Sequence, residues 1–131
     1  SVLKKTNPIK STFIVKKSSL YETKPLGPQG QPNFINAVIE IKTSFNPHEL
    51  LGELQNLERQ HNRKKTKKWG PRSIDLDILI YNKIIMDSKD LIIPHPGLEY
   101  REFVLIPLYE ITGYGYEIPK YGRVSNLIKN L

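Results

Sequence analysis

One stretch limits the possible folds of this chain more than any other: Lys64-Lys65-Thr66-Lys67-Lys68-Trp69-Gly70-Pro71-Arg72-Ser73-Ile74-Asp75-Leu76-Asp77-Ile78-Leu79-Ile80-Tyr81. It begins as a basic run and breaks at Gly-Pro, where a missing N–H and a fixed φ stop any helix. It then enters an apolar segment that predicts a strand over residues 75–81. Successive strand side chains alternate between faces, so Asp75 and Asp77 point the same way with Cα atoms roughly 6.5–7 Å apart. Carboxylates so placed can share metal ions. A polyphosphate needs both halves of the stretch, because divalent cations bridge its oxygens while Lys and Arg neutralise the remaining charge.

The 131 residues are expected to form a single domain, 1–131, burying about two-thirds of the surface the unfolded chain exposes. The chain has no cysteine, which excludes a disulfide framework, a zinc–thiolate site and a thiol nucleophile, and suits a reducing, cytoplasmic setting. No apolar run approaches the ~20 residues of a membrane span, and the opening Ser-Val-Leu-Lys-Lys-Thr has no secretory pattern, so neither membrane nor export is expected. A net charge of +7 calls for an anionic partner. Its source is local: Arg63, Lys64, Lys65, Lys67, Lys68 and Arg72 fall in an acid-free run, as a phosphate site requires.

In chain order, residues 1–7 read as the end of a helix, followed by the Asn7-Pro8 turn signal. Phe13 and Val15 alternating with Thr12 and Ile14 predict a strand within 11–21, buried on both faces in its first half. Three prolines and two glycines between Thr23 and Pro32 make a stiff loop. A half-buried strand is expected over 33–43, with Ala37, Ile39 and Ile41 on one face and Val38, Glu40 and Lys42 on the other. Asn46, Pro47 and Glu49 form a capping box for a helix running to about Gln60, with Leu50, Leu51, Leu54 and Leu57 as its apolar stripe. A short hairpin around 87–90 follows and ends at Pro94-His95-Pro96-Gly97. The segment 98–111 is helical, with Phe103, Ile106 and Tyr109 toward a core and Pro107 bending or splitting it. An aromatic, turn-rich stretch leads to a last short helix bearing Val124, Leu127, Ile128 and Leu131.

Taken singly, most of these signals are ordinary. A basic run is usually solvated or bound to nucleic acid, and a lone Asp-x-Asp is usually structural. Trp69 reads as a loop anchor, and Gln55 and Glu58 as the solvent side of a helix. Two features are less ordinary: the Asn36 amide can read a planar heterocycle through paired bonds, and Phe34 on the same strand face can stack on one. Acidic residues beside the basic run argue against a nucleic-acid groove and for a metal–nucleotide site.

Together the motifs resemble a known family. Trp69-Gly70-Pro71-Arg72-x-x-Asp75-Leu76-Asp77-Ile78 is similar to the signature of the 6-hydroxymethyl-7,8-dihydropterin pyrophosphokinases of folate biosynthesis. Ser18-Ser19-x-Tyr21-Glu22-Thr23-x-Pro25-x-Gly27, Gln31-Pro32-x-Phe34-x-Asn36, Pro94-His95-Pro96 and Arg101-x-Phe103-x-Leu105-x-Pro107-Leu108-x-Glu110-Ile111 match in the same order. The resemblance implies an α+β, ferredoxin-like antiparallel sheet with helices packed on it. It also implies transfer of the terminal pyrophosphate of ATP to the dihydropterin hydroxymethyl group, with release of AMP.

By the same resemblance Asp75 and Asp77 hold two Mg²⁺ ions, and Arg72 and Arg63 act with them in catalysis. Gln55, Glu58, Lys65, Lys68, Trp69, Arg72, Ile78, His95 and Arg101 meet ATP, and Thr23, Pro25, Leu26, Phe34, Asn36 and Phe103 form the pterin slot. Lys65 and Lys68 stand where the family often has arginine, giving point charges in place of bidentate forks. The family opens with a strand and a Gly-Ser-Asn loop that do not precede Lys10 here, so the expected sheet is N-terminally incomplete and turnover by this chain alone is expected to be weak. Fusion to another folate enzyme is compatible with that opening. The contrasting functions are an inactive pterin- or nucleotide-binding form of the fold and a small basic nucleic-acid-binding domain.

Overall fold

The computed structural model describes residues 9–23, 34–64 and 74–131. The expected helix end over 1–7, most of the Pro/Gly-rich loop and the basic run over 65–73 lie outside them. The described residues form strands β1 (Thr12–Lys17), β2 (Tyr21–Thr23), β3 (Phe34–Asn36) and β4 (Ile39–Thr43), then helix α1 (Pro47–Lys64). Strands β5 (Met86–Asp87) and β6 (Ile92–Ile93), helix α2 (Glu102–Thr112), strands β7 (Glu117–Ile118) and β8 (Gly122–Arg123) and helix α3 (Val124–Lys129) follow. The fold is α+β. Its strands pair as two-stranded antiparallel ladders, β1 with β4, β2 with β3, β5 with β6 and β7 with β8.

Local chemistry explains several of these elements. At the start of α1 the Glu49 N–H donates to Asn46 Oδ1 at 2.8 Å and the Asn46 N–H to Glu49 Oε1 at 2.9 Å, a reciprocal capping box. The helix runs four residues past the expected end at Gln60. Alternation holds in β4, where Ile39 and Ile41 are half-buried and Glu40 and Lys42 exposed. It fails one step earlier, so the single strand expected over 33–43 is two. At the break Ser18 bonds Val38 twice, its N–H donating to the Val38 carbonyl and its Oγ accepting the Val38 N–H, both at 2.9 Å. Val38 thereby enters the core and Ala37 turns outward, opposite to the expected phase.

The core has two parts. Leu98, Leu105, Leu108, Ile118, Val124 and Leu127 join Val38 in one, and Leu50, Ile78, Leu91 and Ile93 make the other. Residues 74–81 run between them, Ile78 in the second part and Leu79 and Ile80 packed on the first. Burial on both sides suits the expected strand, yet among the described residues no ladder partner flanks it, and the segment is not assigned as a strand. Its Leu79 carbonyl accepts the His95 N–H at 2.8 Å.

Two other expectations change. Phe13 and Val15 are more than half exposed, because β1 buries only the face carrying Thr12 and Ile14. In the 98–111 segment the break falls at Arg101, between a 3-10 turn (Leu98–Tyr100) and α2, and α2 continues through the buried Pro107. Its buried residues on the core face are Leu105 and Leu108, with Tyr109 packed against the same core as expected, whereas Phe103 is left for another use.

These packing assignments separate two substitutions. Leu105→Ala, at a fully buried site, lowers unfolding free energy by about 2–5 kcal/mol. Phe13→Thr, on the open face of β1, changes it by about 0.5 kcal/mol. Urea unfolding followed by circular dichroism measures both.

Candidate active site

Three elements meet at a cleft of about 170 Å³ lined by Asn36, Ala37, Val38, Asp75, Asp77, Leu79, Arg101, Phe103 and Val104. Asn36 ends β3, and the Ser18–Val38 bonds fix the two residues after it. Asp75 and Asp77 come from the extended segment, both exposed and both on the cleft side, as the alternation of an extended chain requires. Arg101 caps α2, and its carbonyl accepts the Val104 and Leu105 N–H groups at 2.9 Å each. Its guanidinium lies over the Phe103 ring, 4.7 Å from the centroid, a cation–π contact that holds both side chains at the cleft wall.

Five residues expected from the sequence thus converge: Asn36, Asp75, Asp77, Arg101 and Phe103. Gln55, Glu58, Ile78 and His95 are not among the residues that line it. Ile78 points into the second core. His95 is held by its neighbours, with its N–H on Leu79 and its Nδ1 donating to the Pro96 carbonyl at 2.9 Å. Gln55 is exposed on α1, while the Glu58 carboxylate accepts the Leu76 N–H at 2.6 Å. Thr23 and Phe34 face each other across the β2–β3 ladder, and Arg63 lies in the last turn of α1. Pro25, Leu26, Lys65, Lys68, Trp69 and Arg72 lie outside the described residues. Sequence reasoning missed Ala37, Val38, Leu79 and Val104, whose apolar side chains carry no chemical signal.

The donor set suits a hard, oxygen-seeking cation. Among the described residues no group of three or more His, Cys, Asp or Glu side chains could cage a metal. A cation on Asp75 and Asp77 would therefore complete its shell with water or substrate oxygens, as Mg²⁺ does and an all-protein Ca²⁺ cage does not.

A second polar cluster joins the strands to α2. Glu110 accepts the Ser19 N–H at 2.9 and 3.1 Å, the Ser19 hydroxyl at 2.9 Å and the Tyr21 hydroxyl at 2.7 Å. Tyr21 pairs with Asn36 across the β2–β3 ladder, so this clasp ties the strand bearing Asn36 to the helix bearing Phe103.

Fold and site together define a small α+β protein whose cleft sets two carboxylates against an amide, an aromatic ring and a guanidinium. Residues 1–113 match the model of the 7,8-dihydro-6-hydroxymethylpterin-pyrophosphokinase (HPPK) family. The chain is 41% identical over 129 residues to the 2-amino-4-hydroxy-6-hydroxymethyldihydropteridine pyrophosphokinase of Haemophilus influenzae, covering 98% of this chain and 80% of that protein. It is 48% identical over 98 residues to the Bacillus subtilis protein of the same name, covering 75% and 59% of the two chains. Against a mitochondrial folate synthesis bifunctional protein of Arabidopsis thaliana it is 46% identical over 100 residues, 76% of this chain and 18% of that one. The chain belongs to the HPPK family.

The clasp has a pH signature. Bonds from Tyr21 and Ser19 hold the Glu110 carboxyl below its ordinary value of 4.5, and the same carboxylate pushes the Tyr21 hydroxyl up. A lowered folded-state pKa gives a contribution to stability that is complete above pH 4.5 and is lost as pH falls through the lowered value. Glu110→Gln is expected to flatten the acid limb of stability below that pH, as read by thermal unfolding at stepped pH.

Proposed function

We propose that this chain transfers the terminal two phosphates of ATP, as one unit, to 6-hydroxymethyl-7,8-dihydropterin in folate biosynthesis. The hydroxymethyl oxygen forms a bond to the β-phosphorus, the bond from that phosphorus to the α–β bridging oxygen breaks, AMP leaves, and the hydroxyl proton is lost. One observation carries this reading: in a chain of this family, Asn36, Asp75, Asp77, Arg101 and Phe103 line a single cleft.

In this reading Asn36 reads the pterin edge through its paired amide donor and acceptor, and Phe103 presents its ring to the heterocycle. Phe34, Thr23, Pro25 and Leu26 complete the slot. The cleft is smaller than the roughly 300–1,000 Å³ of whole-ligand pockets, which suits one bicyclic ring and leaves the nucleotide to neighbouring surface. That surface would include Gln55, His95 and Arg101, with Arg63, Lys65, Lys68, Trp69 and Arg72 drawn from the basic run; of the other expected nucleotide residues, Ile78 lies in the core and Glu58 is bonded to the Leu76 N–H. Arg63 and Arg72 neutralise phosphate charge.

Asp75 and Asp77 would hold two Mg²⁺ ions. Bound there, the metals supply electrostatic stabilisation of the attacking and leaving oxygens. Arg101, kept in place by Phe103, adds a fixed positive charge at the cleft mouth.

The wider reading follows the family. A ferredoxin-like antiparallel sheet with helices packed on it, in a single domain, is the arrangement proposed for the whole chain, with the β5–β6 hairpin peripheral to it. No described helix is long and apolar enough to cross a membrane. A cytoplasmic enzyme is proposed, joined in some organisms to another folate enzyme, as the name of the plant relative suggests.

The test is Mg²⁺-dependent formation of AMP from ATP that also requires the dihydropterin. Asp77→Asn should lower that rate by about 100-fold or more while circular dichroism is unchanged. Release of ADP in place of AMP, or turnover indifferent to the dihydropterin, would refute the assignment.

A further inference from the structure

An extended segment with no ladder partner among the described residues has its backbone groups met there in another way. The segment bearing Asp75 and Asp77 does so on the polar edge of α1. The Leu76 N–H donates to Glu58 Oε2 at 2.6 Å, and the Ile74 N–H donates to Asn62 Oδ1 at 3.1 Å. The spacings match. Residues four apart on a helix rise roughly 6 Å. Alternate residues of an extended chain advance roughly 6.6 Å, and their N–H groups point the same way. The pairing is antiparallel, Asn62 with Ile74 and Glu58 with Leu76, so one side of the helix stands in for a neighbouring strand.

From this we infer that Glu58 and Asn62 are positioning residues for the carboxylate pair. Holding the peptides of Ile74 and Leu76 keeps the backbone through Asp75 and up to Asp77 extended. Only then do both carboxylates stay on the cleft side. Relaxation of either peptide lets the segment twist and separates them. The charged bond at Glu58 is the stronger of the two anchors. Asn62 has a second effect, since its bond to Ile74 brackets residues 63–73 and joins the two ends of the basic run at its base. The role given to Glu58 differs from a nucleotide contact, because its carboxylate is already committed to a backbone amide.

The inference rests on the reading of Asp75 and Asp77 as metal-holding residues, and its test separates the two ideas. In the free chain, amide hydrogen exchange is measured by NMR for Glu58→Ala, Asn62→Ala and the acceptor-preserving Glu58→Gln and Asn62→Asp. Loss of an anchor should speed exchange about tenfold or more, at Leu76 for Glu58→Ala and at Ile74 for Asn62→Ala, a factor set by one hydrogen bond. Amides of Leu105 and Val124 should be unchanged, and the acceptor-preserving variants should restore slow exchange.

Mn²⁺ titration, read as broadening of the Asp75 and Asp77 amide signals, should need about tenfold more metal in Glu58→Ala. The KM for dihydropterin should not move. Leu76 and Ile74 amides that already exchange freely in the parent chain would overturn the anchoring. A raised KM for ATP with an unchanged Mn²⁺ midpoint would overturn it in favour of direct nucleotide contact. Slow exchange and tight Mn²⁺ binding in a parent chain that forms no AMP would instead sink the proposed reaction and leave the anchoring intact.

Discussion

Two carboxylates placed two residues apart face one cleft only while the backbone between them stays extended, and an extended backbone must satisfy its N–H groups. In most sheets a neighbouring strand meets that need. Here the segment 74–81 is covered on both sides by side chains, with Ile78 in one part of the core and Leu79 and Ile80 on the other, but its described neighbours offer no ladder. Among the described residues, the hydrogen bonds that hold it come from outside any sheet. A helix edge provides two, and the His95 N–H on the Leu79 carbonyl provides another further along.

The same device recurs around the cleft. Ser18 pins Val38 from both sides of its peptide, fixing where β3 gives way to β4 and hence where Asn36 stands. Glu110 gathers Ser19 and Tyr21 onto α2. Arg101 stacks on Phe103. Each wall is thus located by one or two polar pins attached to a rigid element. The apolar core sets where α1, α2 and α3 lie, and the pins set how the walls between them are aimed. This division separates stability from site geometry: losing Leu105 weakens the whole fold, whereas losing a pin misaims one wall.

What could be read from the sequence followed the same division. The capping box at Asn46 and Glu49, the Asp75–Asp77 alternation, the β5–β6 hairpin and the last short helix were legible because each is decided within a few residues by local sterics and hydrogen bonding. The misread elements were those decided by distant partners. Val38 turns inward because of Ser18, twenty residues away. Phe13 and Val15 have the strand pattern of buried residues, yet they lie on a face of β1 that no described element covers. Phe103 has the spacing of a core residue in a helix, and only the packing of Leu105 and Leu108 frees it for the cleft. The five named residues that line the cleft were picked out through motif order. The apolar liners and the tasks of Asn62 and Glu58 were not, since an Asn or Glu on a polar helix face looks the same whether it meets water or a distant amide.

Charge decides how the cleft can work. Asp75 and Asp77 together outweigh Arg101, leaving the described cleft with one net negative charge at neutral pH. Like charges 4 Å apart repel by about 4 kcal/mol at an effective dielectric constant near 20, so such a cleft rejects a bare polyphosphate. One divalent cation on the carboxylates reverses the sign, and a second makes the cleft strongly attractive to phosphate oxygens. In the proposed reaction cation and nucleotide would arrive together, because neither a free triphosphate nor an unscreened carboxylate pair favours the other. The cations of residues 63–72 carry much of the chain's net charge of +7 and stand in sequence directly before the carboxylates. In the proposed reaction they would neutralise phosphate charge beside the carboxylate-held metals. A chain with only the acidic half would bind metal without holding the nucleotide, and one with only the basic half would bind polyanions indiscriminately. Placing both within twenty residues would make the proposed recognition of the nucleotide conditional on the metal.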